Sequence, residues 1–190
     1  MSNPRQRLSQ FLEHLDLVFQ TEPEFVPFES KTVGLPNLAC MVYRDIPEAE
    51  HVTGVTYGLS EAVHPRWHAA RPELLISVRS SDMAWPLAVA ELANQLRGCC
   101  PFGYGEVIDY GQRISDDSEM SAFLVFTPSI LAPSAALGID VGAEQPLNLV
   151  GMYPIYESER AALTVMGLEQ FWKHPNFDRY DVRRTPVAAR

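Results

Sequence analysis

Gly54-Val55-Thr56-Tyr57-Gly58-Leu59-Ser60 alternates small and bulky side chains. That period of two belongs to a β-strand, whose successive residues point to opposite faces. The run Val52 to Leu59 is therefore expected as a strand, with Val55, Tyr57 and Leu59 on one face. Gly54, Thr56, Gly58 and Ser60 fall on the other, where the lack of bulk lets a second element approach the backbone closely. A core helix is the favoured occupant of that face, ahead of a ligand.

Further β-branched and aromatic runs, bounded by Gly, Pro, Asp or Ser, lie on either side of this one. Leu38 to Tyr43 precedes it; Glu73 to Arg79, Glu106 to Tyr110, Ala122 to Pro128 and Leu147 to Ile155 follow. Phe25-Val26-Pro27-Phe28 reads only as extended chain, because proline disfavours helix at itself and at the residue before it. Helices interrupt the strands irregularly. Leu8, Phe11, Leu12, Leu15, Val18 and Phe19 recur at helical spacing over 4–20, with Asn3 as N-cap and Pro4 at the first position. Trp85, Leu87, Val89, Leu92 and Leu96 mark a central helix from Asp82 to Gly98. The early glutamates of 157–163 suit the positive end of a last helix, Glu157 to His174, with a break at Gly167. The irregular alternation predicts an α+β fold: a mixed, mainly antiparallel sheet of about five or six strands with helices packed on it, in one domain over 1–190. The tail Val182-Arg183-Arg184-Thr185-Pro186 onward is basic, and its end is expected to fray.

Composition narrows the function. Hydrophobic residues make up 46% of the 190, enough to build a core. A net charge of −9 argues against nucleic acid and anionic lipid, both of which reward lysine and arginine. No apolar stretch approaches the ~20 residues of a membrane span, and the start lacks a signal-peptide core, so a cytoplasmic protein is expected. Cys40, Cys99 and Cys100 are an odd set without metal-ligand spacing, and reduced thiols are the default.

Chemistry-bearing candidates each meet a plainer explanation. His64 and His68 would share a helical face as metal ligands, but Pro65 stands between them and a solvated loop is favoured. Cys99 or Cys100 would need an adjacent base to act as a nucleophile, and buried or semi-buried inert thiols are expected instead. Glu157 and Glu159 fit helix-start electrostatics, and Asp116-Asp117-Ser118-Glu119 fits a solvated hairpin turn. Gly103-Tyr104-Gly105 precedes a strand and not a helix, so it is no phosphate cradle. No cofactor, metal or catalytic residue is expected.

The ordered set of Gly54 to Ser60, Pro72-Glu73-Leu74-Leu75-Ile76, Trp85-Pro86, Gly105-Glu106-Val107-Ile108-Asp109, Phe123 to Phe126, Val150 to Glu159 and Asp181-Val182-Arg183-Arg184 resembles the Suppressor-of-fused-like domain family over residues 52–186. That resemblance implies an α+β fold used for protein binding, with no catalytic residues to carry over. Animal members match over their N-terminal domain and sequester a transcription factor, a Hedgehog-pathway role that does not transfer to this chain. Stand-alone bacterial members of the family include immunity proteins of toxin systems, so for a bacterial-type member the resemblance implies a protein that sequesters or neutralises a partner, with a toxin domain as the sharpest case, and the net negative charge favours a basic one. Candidate partner-binding residues are Tyr57, Ser60, Asp109 and Glu157, at exposed or structurally demanding positions, with Trp67, Tyr104 and Arg183, whose types dominate interface hot spots. The rival reading is a small-molecule enzyme that uses the Gly-rich strand Gly54 to Ser60, Asp109 and the glutamates as a carboxylate pocket.

Overall fold

The computed structural model describes residues 3–188. A seven-stranded sheet forms its centre: β1 (Glu24–Phe28), β2 (Leu38–Arg44), β3 (His51–Tyr57), β4 (Arg71–Arg79), β5 (Val107–Asp109), β6 (Ala122–Phe126) and β7 (Leu147–Ile155). The spatial order is β1-β2-β3-β4-β7-β6-β5, and β4 with β7 is the parallel pair among antiparallel neighbours. The expected class holds, and the count rises to seven because the Pro27 segment pairs with β2 along its length. Proline is tolerated there because β1 is an edge strand that bonds on one side only.

Three helical groups cover the sheet. α1 (Pro4–Phe19) starts as expected, with Asn3 Oδ1 accepting from the Arg5 N–H, and ends at Gln20 in the left-handed region (φ 54°). Phe11, Leu15 and Phe19 pack on Met41, Tyr43, Val55, Leu75 and Leu149. α2 (Ala84–Leu96) lies on the opposite face, with Trp85, Val89 and Leu92 against Leu74, Ile76, Val78, Phe123 and Met152. α3 (Pro133–Ala136) is a single turn that strand and helix periodicity cannot register. α4 (Glu157–Met166) and α5 (Leu168–Trp172) break at Gly167 (φ 80°) as expected, and pack with Phe177 and Val187 on Ala122, Leu124, Tyr153 and Ile155. Among the described residues, no helix is long and apolar enough to cross a membrane. Cover on both faces explains why β4 and β7 read as almost unbroken apolar runs.

The small face of β3 meets α2. A methyl group at Gly54 would stand 2.5 Å from Pro86 Cβ, so the helix fills the space left by the missing side chain, as the alternation predicted. The strand itself ends at Tyr57, and Leu59–Glu61 turns as a short 3-10 helix.

The tail is docked through Val187, with Val182, Arg184 and Val187 buried, and the fraying expected of its end falls on the last two residues, outside the described range. Residues 114–120 do form a hairpin turn, but Ser115 and Ser118 are buried and Asp117 is half-buried. Cys99 is exposed, against expectation, because it follows the last turn of α2; Cys100 is half-buried and Cys40 is buried in the α2 core, which pushes its thiol up to about 12.

Candidate functional site

The β3–β4 ladder stops at the pair Val55↔Leu75. Beyond it the strands part, and Glu73, fully buried, fills the gap. Its Oε1 accepts from the N–H of Gly58 (2.8 Å), the N–H of Ser60 (3.0 Å) and the Ser60 hydroxyl (2.6 Å). Its Oε2 accepts from the Thr56 hydroxyl (2.6 Å), whose oxygen in turn accepts from the Leu74 N–H (2.8 Å). Burial pushes the Glu73 carboxyl up, and these four donors oppose it. Arg97, buried on the other side, donates to the Gly58 carbonyl (3.2 Å). Gly58 (φ 121°) and Ser60 are thus fixed by side chains that stand in for a ladder.

This clamp forms one wall of a cleft of about 580 Å³ lined by Arg7, Tyr57, Ser60, Glu61, Arg71 and the loop 141–147. Tyr57 and Ser60, two of the expected site residues, meet here. Trp67 does not join them at the surface. It is 9% exposed, and its indole N–H donates to the Pro101 carbonyl (3.0 Å), because an amphipathic ring with a partner within reach buries readily. The His64–His68 segment is a turn with no helical face; His64 packs at 5.5 Å from the Trp67 ring, and its Nδ1 accepts from the Arg66 N–H.

Tyr104, Asp109 and Glu157 lie along β5, the outer strand of the sheet, with Tyr104 ahead of its start and Asp109 at its end, joined to Glu157 through Arg160. Tyr104 is 49% exposed with its ring 5.7 Å from Phe126. Arg160 Nη1 on α4 donates to Asp109 Oδ2 and to Glu157 Oε2, each at 3.0 Å. Arg66 pairs with Glu106 at 2.7 Å on the same margin. Three carboxylates and two guanidiniums therefore flank the strand. The Tyr110 N–H bonds to the Ser121 carbonyl, and Ile108 opposes Phe123, so the even positions face β6. By the alternation of an antiparallel pair, the N–H and C=O of Val107 and Asp109 point to the open side. Arg183 stands apart, at the far end of β4, 70% exposed and bonded to Asp117 Oδ1 at 3.0 Å.

Asp109 and Glu157 are exposed and ion-paired and do not line the cleft; of the parts drawn into a carboxylate pocket, the segment 54–60 reaches it, with Tyr57 and Ser60. Sequence reading missed Glu73, Arg7, Glu61, Arg71 and Gln145. A charged residue opening the apolar run Leu74-Leu75-Ile76 was the available signal for Glu73. The other four meet only through the fold.

Among solved structures, a protein described as a Suppressor of fused homologue from Neisseria gonorrhoeae FA 1090 is similar over 94% of both chains (TM-score 0.71, 19% identity). A chain of the Sufu–Fu complex is similar over 96% of this chain and 91% of its own (TM-score 0.68, 12% identity). Drosophila Suppressor of Fused matches over all of this chain (TM-score 0.69, 12% identity), which spans 54% of that longer one. At these identities the likeness is one of fold. No curated protein matches the sequence significantly. The family model of Suppressor of fused protein (SUFU) matches residues 34–185, most of the sequence, and on that match the chain belongs to the Suppressor of fused family.

Proposed function

We propose that this protein binds and sequesters a second protein by accepting an extended segment of it along the open edge of β5. The observation that carries the reading is the outward-facing N–H and C=O pairs of Val107 and Asp109, flanked by the exposed Tyr104 ring and the Arg160–Asp109–Glu157 ion pairs. An incoming strand gains main-chain hydrogen bonds from such an edge, and side chains beside it choose the sequence. The opposite edge, β1, carries Pro27, which has no N–H to give. A similar fold occurs in the Sufu–Fu complex, in a chain of nearly the same extent. The net charge of −9 and the carboxylate-rich margin of β5 favour a basic partner, and neutralisation of a toxin domain is the sharpest form of the proposal.

The test uses the wild-type chain and Val107→Pro as parallel baits in extract of the native host. Proline at 107 removes a donor that β6 does not use, so the sheet is kept. The expected result is one protein retained stoichiometrically by the wild type and at least tenfold less by the variant. If it is a toxin, the wild type suppresses its activity and the variant does not. Equal retention by both baits, or no protein above background, overturns the reading.

A further inference from the structure

The cleft beside the Glu73 clamp is not used by an edge-binding partner, and its chemistry points to a small ligand of its own. Its volume of about 580 Å³ lies within the ~300–1,000 Å³ range of small-molecule sites. Its lining mixes both signs of charge, Arg7 and Arg71 with Glu61 and Glu144, and adds the half-buried Tyr57 ring and the apolar Val141, Ala143 and Leu147.

The two guanidiniums are held but not saturated. Arg71 Nε donates to Gln145 Oε1 (3.0 Å) and Nη1 to the carbonyls of Ser60 (2.9 Å) and Ala62 (3.4 Å), while Nη2 has no hydrogen-bond acceptor among the described residues. Arg7 Nη1 meets Glu61 at a loose 3.3 Å, and its Nε is buried without a partner among the described residues. The frame around them is fixed on both sides. Glu73 pins Ser60, and Gln145 Nε2 donates to the carbonyls of Trp67 (3.1 Å) and His68 (2.9 Å), tying the 141–147 loop to the far wall. Donors held in advance cost little to order when a ligand arrives.

The charge pattern selects the ligand class. A simple anion brought to Arg7 and Arg71 meets Glu61 and Glu144, and a simple cation meets the arginines, whereas a molecule bearing both charges offers each sign of the lining a partner. We propose that this cleft binds a free α-amino acid, its carboxylate on the Arg7 and Arg71 guanidiniums, its ammonium on Glu61, and its side chain against Tyr57 and Leu147.

The test is calorimetric titration of the full chain with each of the protein L-α-amino acids in turn. At least one is expected to bind saturably at a single site. For that amino acid, the N-acetyl derivative and the methyl ester should each bind at least tenfold more weakly to the wild-type protein, and Arg7→Met and Glu61→Gln should each weaken the free amino acid by a similar factor without lowering the melting temperature. Binding by none of them overturns the proposal. So does an N-acetyl derivative that binds as tightly as its parent, a result that stands whether or not either variant folds.

Discussion

Glu73 shows how one residue can do the work of a ladder. Four donors converge on its buried carboxylate, and removing it leaves two backbone N–H groups and two hydroxyls without an acceptor. Each orphaned buried group costs about 1–3 kcal/mol, so Glu73→Ala is expected to lose roughly 3 kcal/mol or more in urea denaturation. A loss under about 1 kcal/mol would mean the turn is held by something else, Arg97 first among the alternatives. Gly54→Ala probes the other face of the same strand. Its new methyl would sit 2.5 Å from Pro86 Cβ, and overpacking of this kind costs about 1–3 kcal/mol. The two residues differ in legibility for a physical reason. Gly54 stands in a two-residue alternation that a single strand displays, and that alternation foretold a helix on the small side. Glu73 acts across a gap between strands, and sequence spacing carries no record of where two strands part.

Among the elements, the C-terminal tail is a strap held by charge in a dry place. Arg184 Nη2 donates to Glu159 Oε2 at 2.7 Å, with both side chains almost wholly buried and the guanidinium stacked over Tyr156 and Phe177. Glu159 also accepts from the N–H groups of Tyr156 and Val187, so one carboxylate caps α4 and fastens the tail. Burial pushes the Arg184 guanidinium down while Glu159 draws it up. Arg184→Met leaves Glu159 buried and unpaired and is expected to cost about 3–5 kcal/mol in denaturant unfolding, while the double variant with Glu159→Gln recovers part of that. A single variant within about 1 kcal/mol of wild type would rule out the strap. The helix-start role given to Glu159 from sequence was right but incomplete, because its distant partners only arrive with the folded tail.

The Asp117 turn beside the strap gives a pH test. The Ser80 hydroxyl, opposed by partial burial and helped by Arg183, holds this carboxyl below the ordinary range. A depressed carboxyl contributes stability above its unfolded pKa of about 4 and loses it as pH falls through the folded value. Wild type should therefore exceed Asp117→Asn in denaturation midpoint near neutrality, and the gap should close in acid. A gap that is constant with pH would show that the ionised form is not what binds Ser80.

Over the whole molecule, α2 on one side and α1 with α4–α5 on the other seal both faces of the sheet, leaving its two edges. The class and most strand bounds were readable because faces buried on both sides leave long apolar runs. β1 was underread as a strand because proline in an edge strand looks like proline in a loop. The expected partner-binding residues separated into the cleft, the β5 margin and the far end of β4, with Trp67 buried away from all three, since residue type says nothing about proximity.

Whether β5 receives a partner's strand is decided by amide hydrogen exchange on the protein alone and in complex with its captured partner. The N–H groups of Val107 and Asp109 should exchange quickly in the free chain and become strongly protected in the complex, with the Pro27-bearing β1 edge unchanged. Protection that arises instead along β1 or around the cleft, while Val107 and Asp109 still exchange freely, would refute strand addition at β5.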